Sequence, residues 1–246
     1  MMFMRIDKLL CEMNIGSRSQ VKEYIRKGQI FINGVKVMRP EMQVEEDALQ
    51  ICCNGKEYSY RPYVYYMMNK PSGIVTATSD KKDKTVLDLL KEQLKAQYEG
   101  DLAGIPVKDI FPVGRLDKDT VGLLLLTNNG PLAHRLLSPK KHVPKRYLVK
   151  TDSPLGEEGL MRLTQGVRIG EHEITLPAEI SEADEENTYF ITITEGKYHQ
   201  VKRMFQAAGA KVIYLKRLSM GSLSLDEELL EGQIRELTKK EVADLC

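Results

Sequence analysis

The chain lacks the features that would put it in a membrane or tie it together covalently. No apolar run approaches the roughly 18 residues of a spanning helix. The opening Met-Met-Phe-Met-Arg-Ile-Asp-Lys passes straight into a charged helical pattern, with no apolar signal stretch. Four cysteines (Cys11, Cys52, Cys53, Cys246) show neither a CxxC pair nor ligand spacing with histidine, which excludes a disulfide framework and a zinc site. Reduced thiols imply the cytoplasm. There is no HExxH, GxSxG or GxxxxGKS/T run, and no glycine fingerprint of a dinucleotide fold. His134, His142, His172 and His199 lack metal-ligand spacing and read as surface or RNA-facing residues. No metal and no cofactor is expected.

What is present is ordinary in amount and uneven in placement. The 246 residues leave room for one large domain or two smaller ones, and 42% apolar with 29% charged residues suits a globular chain. The net charge of +1 hides segregation. Residues 1–39 hold eight basic and three acidic residues; 135–150 and 196–217 hold six basic residues each and no acid. Acids collect at 41–47, 182–186 and 226–231. Three basic stretches fit a polyanion partner, although solvated helix faces account for such runs as well.

The N-terminal pattern is compact. Ile6, Leu9, Leu10 and Met13 follow the i, i+3, i+4, i+7 spacing of an amphipathic helix, and Asn14-Ile15-Gly16 ends it. Ser17 can cap a second helix with Val21, Tyr24 and Ile25 inward, stopped by Gly28. Asn33-Gly34 between Ile30-Phe31-Ile32 and Val35-Lys36-Val37 signals a hairpin. Arg18, Lys22, Arg26 and Lys27 fall on the solvent side of the second helix. This order, "RIDKLL…SRSQVKEYIRKGQIFINGVKV", resembles the RNA-binding module named after ribosomal protein S4, over roughly residues 4–60.

Residues 54–63 read as a polar connection between a domain at 1–60 and another at 61–246, with Pro62 breaking any helix. Beyond it, strands are expected at 64–68, 74–76, 123–127, 146–151 and 188–194, and helices at 86–94, 154–164 and 198–208. The order lacks a regular βαβ rhythm, which predicts an α+β fold with a mixed, largely antiparallel sheet and helices packed against it.

The segment from Phe111 to Gly130 is the most informative. A loop with two glycines and two acids feeds an apolar strand, a good mount for a reactive side chain. A calcium loop starting at Asp117 fails, because Val121 and Asn128 occupy ligand positions. Asp117 and Asp119 could flank a sugar, but acids this close more often form a turn set that bonds backbone amides.

Gly114-Arg115-Leu116-Asp117, then Thr120, Gly122-Leu123 and Thr127, resembles the catalytic motif of pseudouridine synthases. Asn69-Lys70-Pro71-Ser72-Gly73 resembles that family's upstream motif. Lys145-Arg146-Tyr147-Leu148-Val149 resembles the strand bearing its active-site tyrosine. Glu195 to Phe205, with Gly209 and Leu215-Lys216-Arg217, resembles its downstream motif. Together with the S4-like module the resemblance spans essentially the whole chain, and is nearest the branch that modifies small-subunit ribosomal RNA.

The resemblance implies a mixed-sheet catalytic fold and roles for particular residues. Asp117 is the carboxylate that starts cleavage of the uridine glycosidic bond, so that uracil can rotate and rejoin through C5. It should be ionised and unhydrated. Lys202 pairs with it, where many relatives carry arginine, a bidentate partner rather than a point charge. Tyr147 stacks on the target uracil, Leu215 packs beside it, and Arg115 fills the space that the flipped base vacates. Read alone, Tyr147 and Leu215 are core residues and Arg115 a partner within its loop. Arg203, Lys70, Arg18, Lys22, Arg26 and Lys27 complete the residues expected to bind RNA. The implied partner is 16S ribosomal RNA in an assembling small subunit, at uridine 516 of its usual numbering, with the protein acting as a monomer and away from membranes. A large-subunit RNA synthase of the same branch and a noncatalytic RNA-binding or assembly factor remain alternatives.

Overall fold

A computed structural model describes residues 3–45, 49–99, 101, 103–105 and 109–245. The chain divides into two compact units: residues 1–64 with 90–110, and residues 65–89 with 111–246.

The first unit follows from its local signals. After a short strand β1 (Phe3–Arg5), α1 (Ile6–Glu12) buries Ile6, Leu9 and Leu10 completely, as does Met13 just beyond it. Helix α2 (Arg18–Arg26) begins at a full capping box: the Ser17 hydroxyl accepts from the Gln20 amide, and the Gln20 side chain accepts from the Ser17 amide. Val21 and Ile25 face the core, leaving Arg18, Lys22, Arg26 and Lys27 exposed. β2 (Ile30–Ile32) and β3 (Val35–Lys36) meet at Asn33-Gly34, whose φ values of 48° and 80° are both positive, as this two-residue turn requires. β4 (Gln43–Glu45) pairs with β1, and β5 (Leu49–Cys53) with β2.

The expected polar connection at 54–63 is instead largely structure. Asn54-Gly55 makes a second turn with both φ values positive, and β6 (Lys56–Tyr60) returns along β5 over five residue pairs. The sheet runs β3-β2-β5-β6. Cys11, Cys52 and Cys53 carry free thiols; Cys246 lies outside the described residues.

The second unit is built on one mixed sheet. β7 (Tyr65–Lys70) is followed by α3 (Val86–Gln97), whose residues from Leu90 onward group with the first unit. Then come β8 (Phe111–Pro112), β9 (Val121–Thr127) and α4 (Gly130–Leu137). β10 (Lys145–Thr151), α5 (Glu157–Gln165), β11 (Glu179–Glu182) and β12 (Thr188–Ile193) continue the chain. α6 (Gln200–Ala208), β13 (Val212–Met220), β14 (Leu223–Ser224), β15 (Ile234–Glu236) and α7 (Lys239–Leu245) complete it. The order is β11-β12-β10-β13-β9-β7-β15, with β14 on β13 and β8 on β9. Among the described strand pairs only β13 and β9 run parallel.

β9 is buried along its whole length, Val-Gly-Leu-Leu-Leu-Leu-Thr, as a strand with neighbours on both edges should be. Its contact with β13 requires a glycine: a Cβ on Gly122 would stand 2.3 Å from the Arg217 carbonyl oxygen, and φ there is 98°. The strand expected at 74–76 reduces to one bridge between Val75 and Thr85. The Thr76 hydroxyl turns instead to the Leu116 backbone, donating to its carbonyl at 2.8 Å and meeting its amide at 3.2 Å. No described helix is long and apolar enough to cross a membrane.

Candidate active site

The loop between β8 and β9 carries Asp117, and side chains from elsewhere in the same unit fix its backbone. Thr76 holds Leu116 as above, and the Gly73 amide donates to the Lys118 carbonyl at 2.8 Å. Lys70, at the end of β7, is fully buried. Its ammonium donates to the carbonyls of Pro71 (3.1 Å), Asp117 (3.1 Å), Lys118 (3.2 Å) and Thr120 (2.9 Å). Burial pushes this group down to about 8, opposed by the charges of Asp119 and Asp117. Lys70 was expected among the residues that bind RNA. With no exposed surface and its protons spent on the loop, it is a positioning residue.

The loop opens onto a cleft of about 980 Å³, lined among others by Arg115, Asp117, Lys145, Tyr147, Lys202, Leu215 and Arg217. Helix α6 presents Lys202 to the carboxylate. Its Nζ lies 3.1 Å from Asp117 Oδ2 and 2.5 Å from Asp119 Oδ1. Burial opposes the charge of Lys202, but the bonds to Asp119 and Asp117 outweigh it and raise the ammonium above its usual range. The bond from Lys202 in turn holds the Asp119 carboxyl below its own. Asp119 therefore shares the lysine, rather than serving only the turn that the sequence suggests.

The sequence reading missed His199. Its Nε2 stands 3.3 Å from Asp117 Oδ1, so lysine and imidazole face opposite oxygens of one carboxylate. His199 precedes α6 with φ at 49°, a conformation that costs a non-glycine residue of order 1 kcal/mol or more. Neighbours hold it there. Buried Gln200 accepts from the Lys197 amide and donates to Glu195 at 2.7 Å, while the exposed ring of Tyr198 stacks on His199 at 3.8 Å. The signal was present as an i, i+3 spacing from Lys202, which puts the two side chains on one side of a helical turn.

The remaining residues fall into two groups. Tyr147 and Leu215 are buried but line the cleft, and Arg115 is exposed at its edge. Arg203, expected to bind RNA, is taken up within the chain. Its Nε and Nη2 donate to the Ile169 carbonyl, Nη1 donates to the Tyr198 carbonyl at 3.0 Å, and Nη2 also meets Glu173. It ties α6 to the 169–173 loop instead of offering a free guanidinium. The Asp117 side chain is 27% exposed, so the protein alone does not dehydrate it as the sequence reading required.

A loop-borne aspartate, a lysine salt-bridged to it and a tyrosine lining the same cleft, on a mixed sheet, match the class expected from the motifs. Residues 64–207 match the family model described as RNA pseudouridylate synthase, and residues 4–49 match the S4 domain. The chain belongs to the RNA pseudouridine synthase family and is an enzyme of that kind, with an RNA-binding S4 domain at its N-terminus. Among its relatives is an uncharacterized RNA pseudouridine synthase, YtzG, of Bacillus subtilis, 47% identical over 242 residues and covering 97% of each chain. The ribosomal small subunit pseudouridine synthase A of Vibrio cholerae is 37% identical over 243 residues, 98% of this chain and 99% of that one. A solved structure titled as a crystal structure of pseudouridylate synthase aligns with a TM-score of 0.65 at 35% identity, covering 99% and 100%.

Proposed function

We propose that the enzyme converts uridine 516 of 16S ribosomal RNA to pseudouridine, with Asp117 as the carboxylate that opens the glycosidic bond. The observation that carries this reading is the Asp117–Lys202 pair at 3.1 Å in a cleft that Tyr147 also lines. The lysine pairs with the carboxylate that carries out the attack or proton abstraction. A flipped uridine entering the cleft supplies the missing cover over Asp117 and stacks on Tyr147, while Arg115 at the rim takes the place left in the RNA. Extrusion costs a few kcal/mol, and stacking with the Arg115 fill offsets it. The full-length similarity to the Vibrio cholerae enzyme supports a small-subunit target. The exposed α2 cations Arg18, Lys22, Arg26 and Lys27 supply phosphate contacts that carry affinity but no sequence.

Tritium release from RNA labelled at uridine C5 tests the chemistry. Asp117→Asn should abolish release while RNA binding stays near normal, and undiminished release would remove Asp117 from the role. Mapping pseudouridine in both ribosomal RNAs of a strain lacking the gene tests the target. Loss at 516 alone is expected, whereas loss at a large-subunit position would reassign the substrate.

A further inference from the structure

The floor of the cleft carries two cations that this mechanism leaves without a role. Lys145 and Tyr147 alternate along β10, and Arg217 stands opposite Tyr147 across the ladder, with Leu215 two residues away on β13. Alternation places all four side chains on one face of the sheet, and all four line the cleft. Arg217 is only 2% exposed. Its Nε donates to the Leu123 carbonyl at 2.7 Å, but its buried Nη2 has no hydrogen-bond partner among the described residues. Lys145 donates to the Val143 carbonyl at 3.0 Å. Burial, then the like charge of Arg217, lowers its ammonium below the usual range.

Neither cation is paired with a carboxylate among the described residues. An unused guanidinium donor in a buried site is costly, and so are two like charges side by side. Such an arrangement suits negative charge that arrives with the substrate. We propose that Arg217, assisted by Lys145, binds the uracil ring once it is cut from the ribose and stabilises the negative charge that cleavage leaves on it. The proposal rests on the cleft being the uridine site.

The chemistry balances without a further reagent. When N1–C1′ breaks, the bonding pair goes to N1 and spreads to the ring carbonyls. When C5 bonds to C1′, the C5 proton leaves and N1 regains one, so charge and composition are restored. Donors that meet charge existing only between these two steps lower the barrier rather than tighten binding. The depth of Arg217 favours the base over a backbone phosphate, because phosphates stay near the rim, where exposed Arg115 and Lys118 lie.

Single-turnover kinetics on the full-length protein test the assignment. Arg217→Met should slow conversion of uridine RNA about 100-fold, the usual loss for one such donor, without weakening RNA binding. Arg217→Lys should recover part of the rate. The discriminating substrate is the same RNA carrying 5-fluorouridine, whose base bears negative charge more easily. With glycosidic cleavage followed by nucleoside chromatography, the loss from Arg217→Met should shrink by about tenfold, one factor of ten in barrier terms. An equal loss on both RNAs would overturn the proposal. So would a loss that appears in binding with a shallower salt dependence, which would assign a phosphate contact. Should Arg217→Met fail to fold by circular dichroism, Lys145→Gln carries the same comparison. An Asp117→Asn variant with normal release would sink the underlying uridine-site reading. An inactive Asp117→Asn beside a fully active Arg217→Met would sink this proposal alone.

Discussion

Lys70→Met separates the integrity of the Asp117 loop from the stability of the protein. Methionine matches the lysine in length but removes every donation to the four carbonyls of Pro71, Asp117, Lys118 and Thr120. The carbonyls of Asp117 and Lys118 keep the Thr120 and Gly73 amides as donors, so two acceptors, those of Pro71 and Thr120, lose their donor, at a cost of about 4 kcal/mol at about 2 kcal/mol each. Against this, the wild-type chain buries an ammonium pushed from 10.5 to about 8, and being rid of that burial returns about 3 kcal/mol at 1.36 kcal/mol per pKa unit. The net loss is about 1 kcal/mol, or a melting shift of about 2–4 °C for a chain of this size. Activity should suffer far more, because an ångström of displacement at a reacting group costs about 100-fold. Tritium release and thermal melting on the same preparations decide the matter. Release near the wild-type rate would refute the positioning role, and a melting loss far beyond a few degrees would refute the balance of terms. The pH dependence has a definite sign. Between pH 8 and 10.5 the unfolded chain holds the Lys70 proton and the folded chain has lost it. This group therefore makes folding more favourable as pH rises through that window. Release should fall over the same range, as the loop exchanges an ammonium for an amine with fewer donors.

Three further outcomes are expected. Glu241 is held at about 2 by Arg235, reinforced by the Thr238 amide at 2.7 Å and opposed by burial. Its folded value is depressed, so about 3 kcal/mol of stability is complete above pH 4.5 and lost as pH falls toward 2; Glu241→Gln should flatten that limb in acid-melting curves. Gly122→Ala puts a methyl group 2.3 Å from the Arg217 carbonyl at a φ of 98°, so a loss of about 3 kcal/mol or more is expected in denaturant titration, and an unchanged midpoint would contradict the close β9–β13 approach. Replacing Arg18, Lys22, Arg26 and Lys27 by alanine should weaken RNA binding and make its logarithmic salt slope shallower, by about 0.7–0.9 for each phosphate no longer neutralised. An unaltered slope would remove these residues from the interface.

Much of this architecture was legible in the sequence wherever a local signal dominates. The Ile6–Met13 stripe, the Ser17 cap and Asn33-Gly34 each specify their own geometry within a few residues, and the structure follows them. The 54–63 segment misled because Lys56-Glu57-Tyr58-Ser59 has the polarity of a linker, although Asn54-Gly55 carries the same turn signal found at 33–34. β13 hid behind Lys211, Lys216 and Arg217, whose charges suggest a surface rather than a central strand. The same tertiary override explains Lys70. No local rule foretells that a lysine will spend its protons on carbonyls 47 and more residues downstream. His199 was overlooked because its partner, Asp117, is near only in space.

The side chains around the Asp117 loop come from far apart along the chain, from Lys70 on β7 to Arg217 on β13. A polypeptide released before β13 therefore lacks the strand beside β9, the Leu215 wall and one of the floor cations, however well its earlier segments have formed. On this reading competence arrives only with the closing of the sheet, so unfinished copies that still carry the S4 domain are expected to leave RNA unaltered.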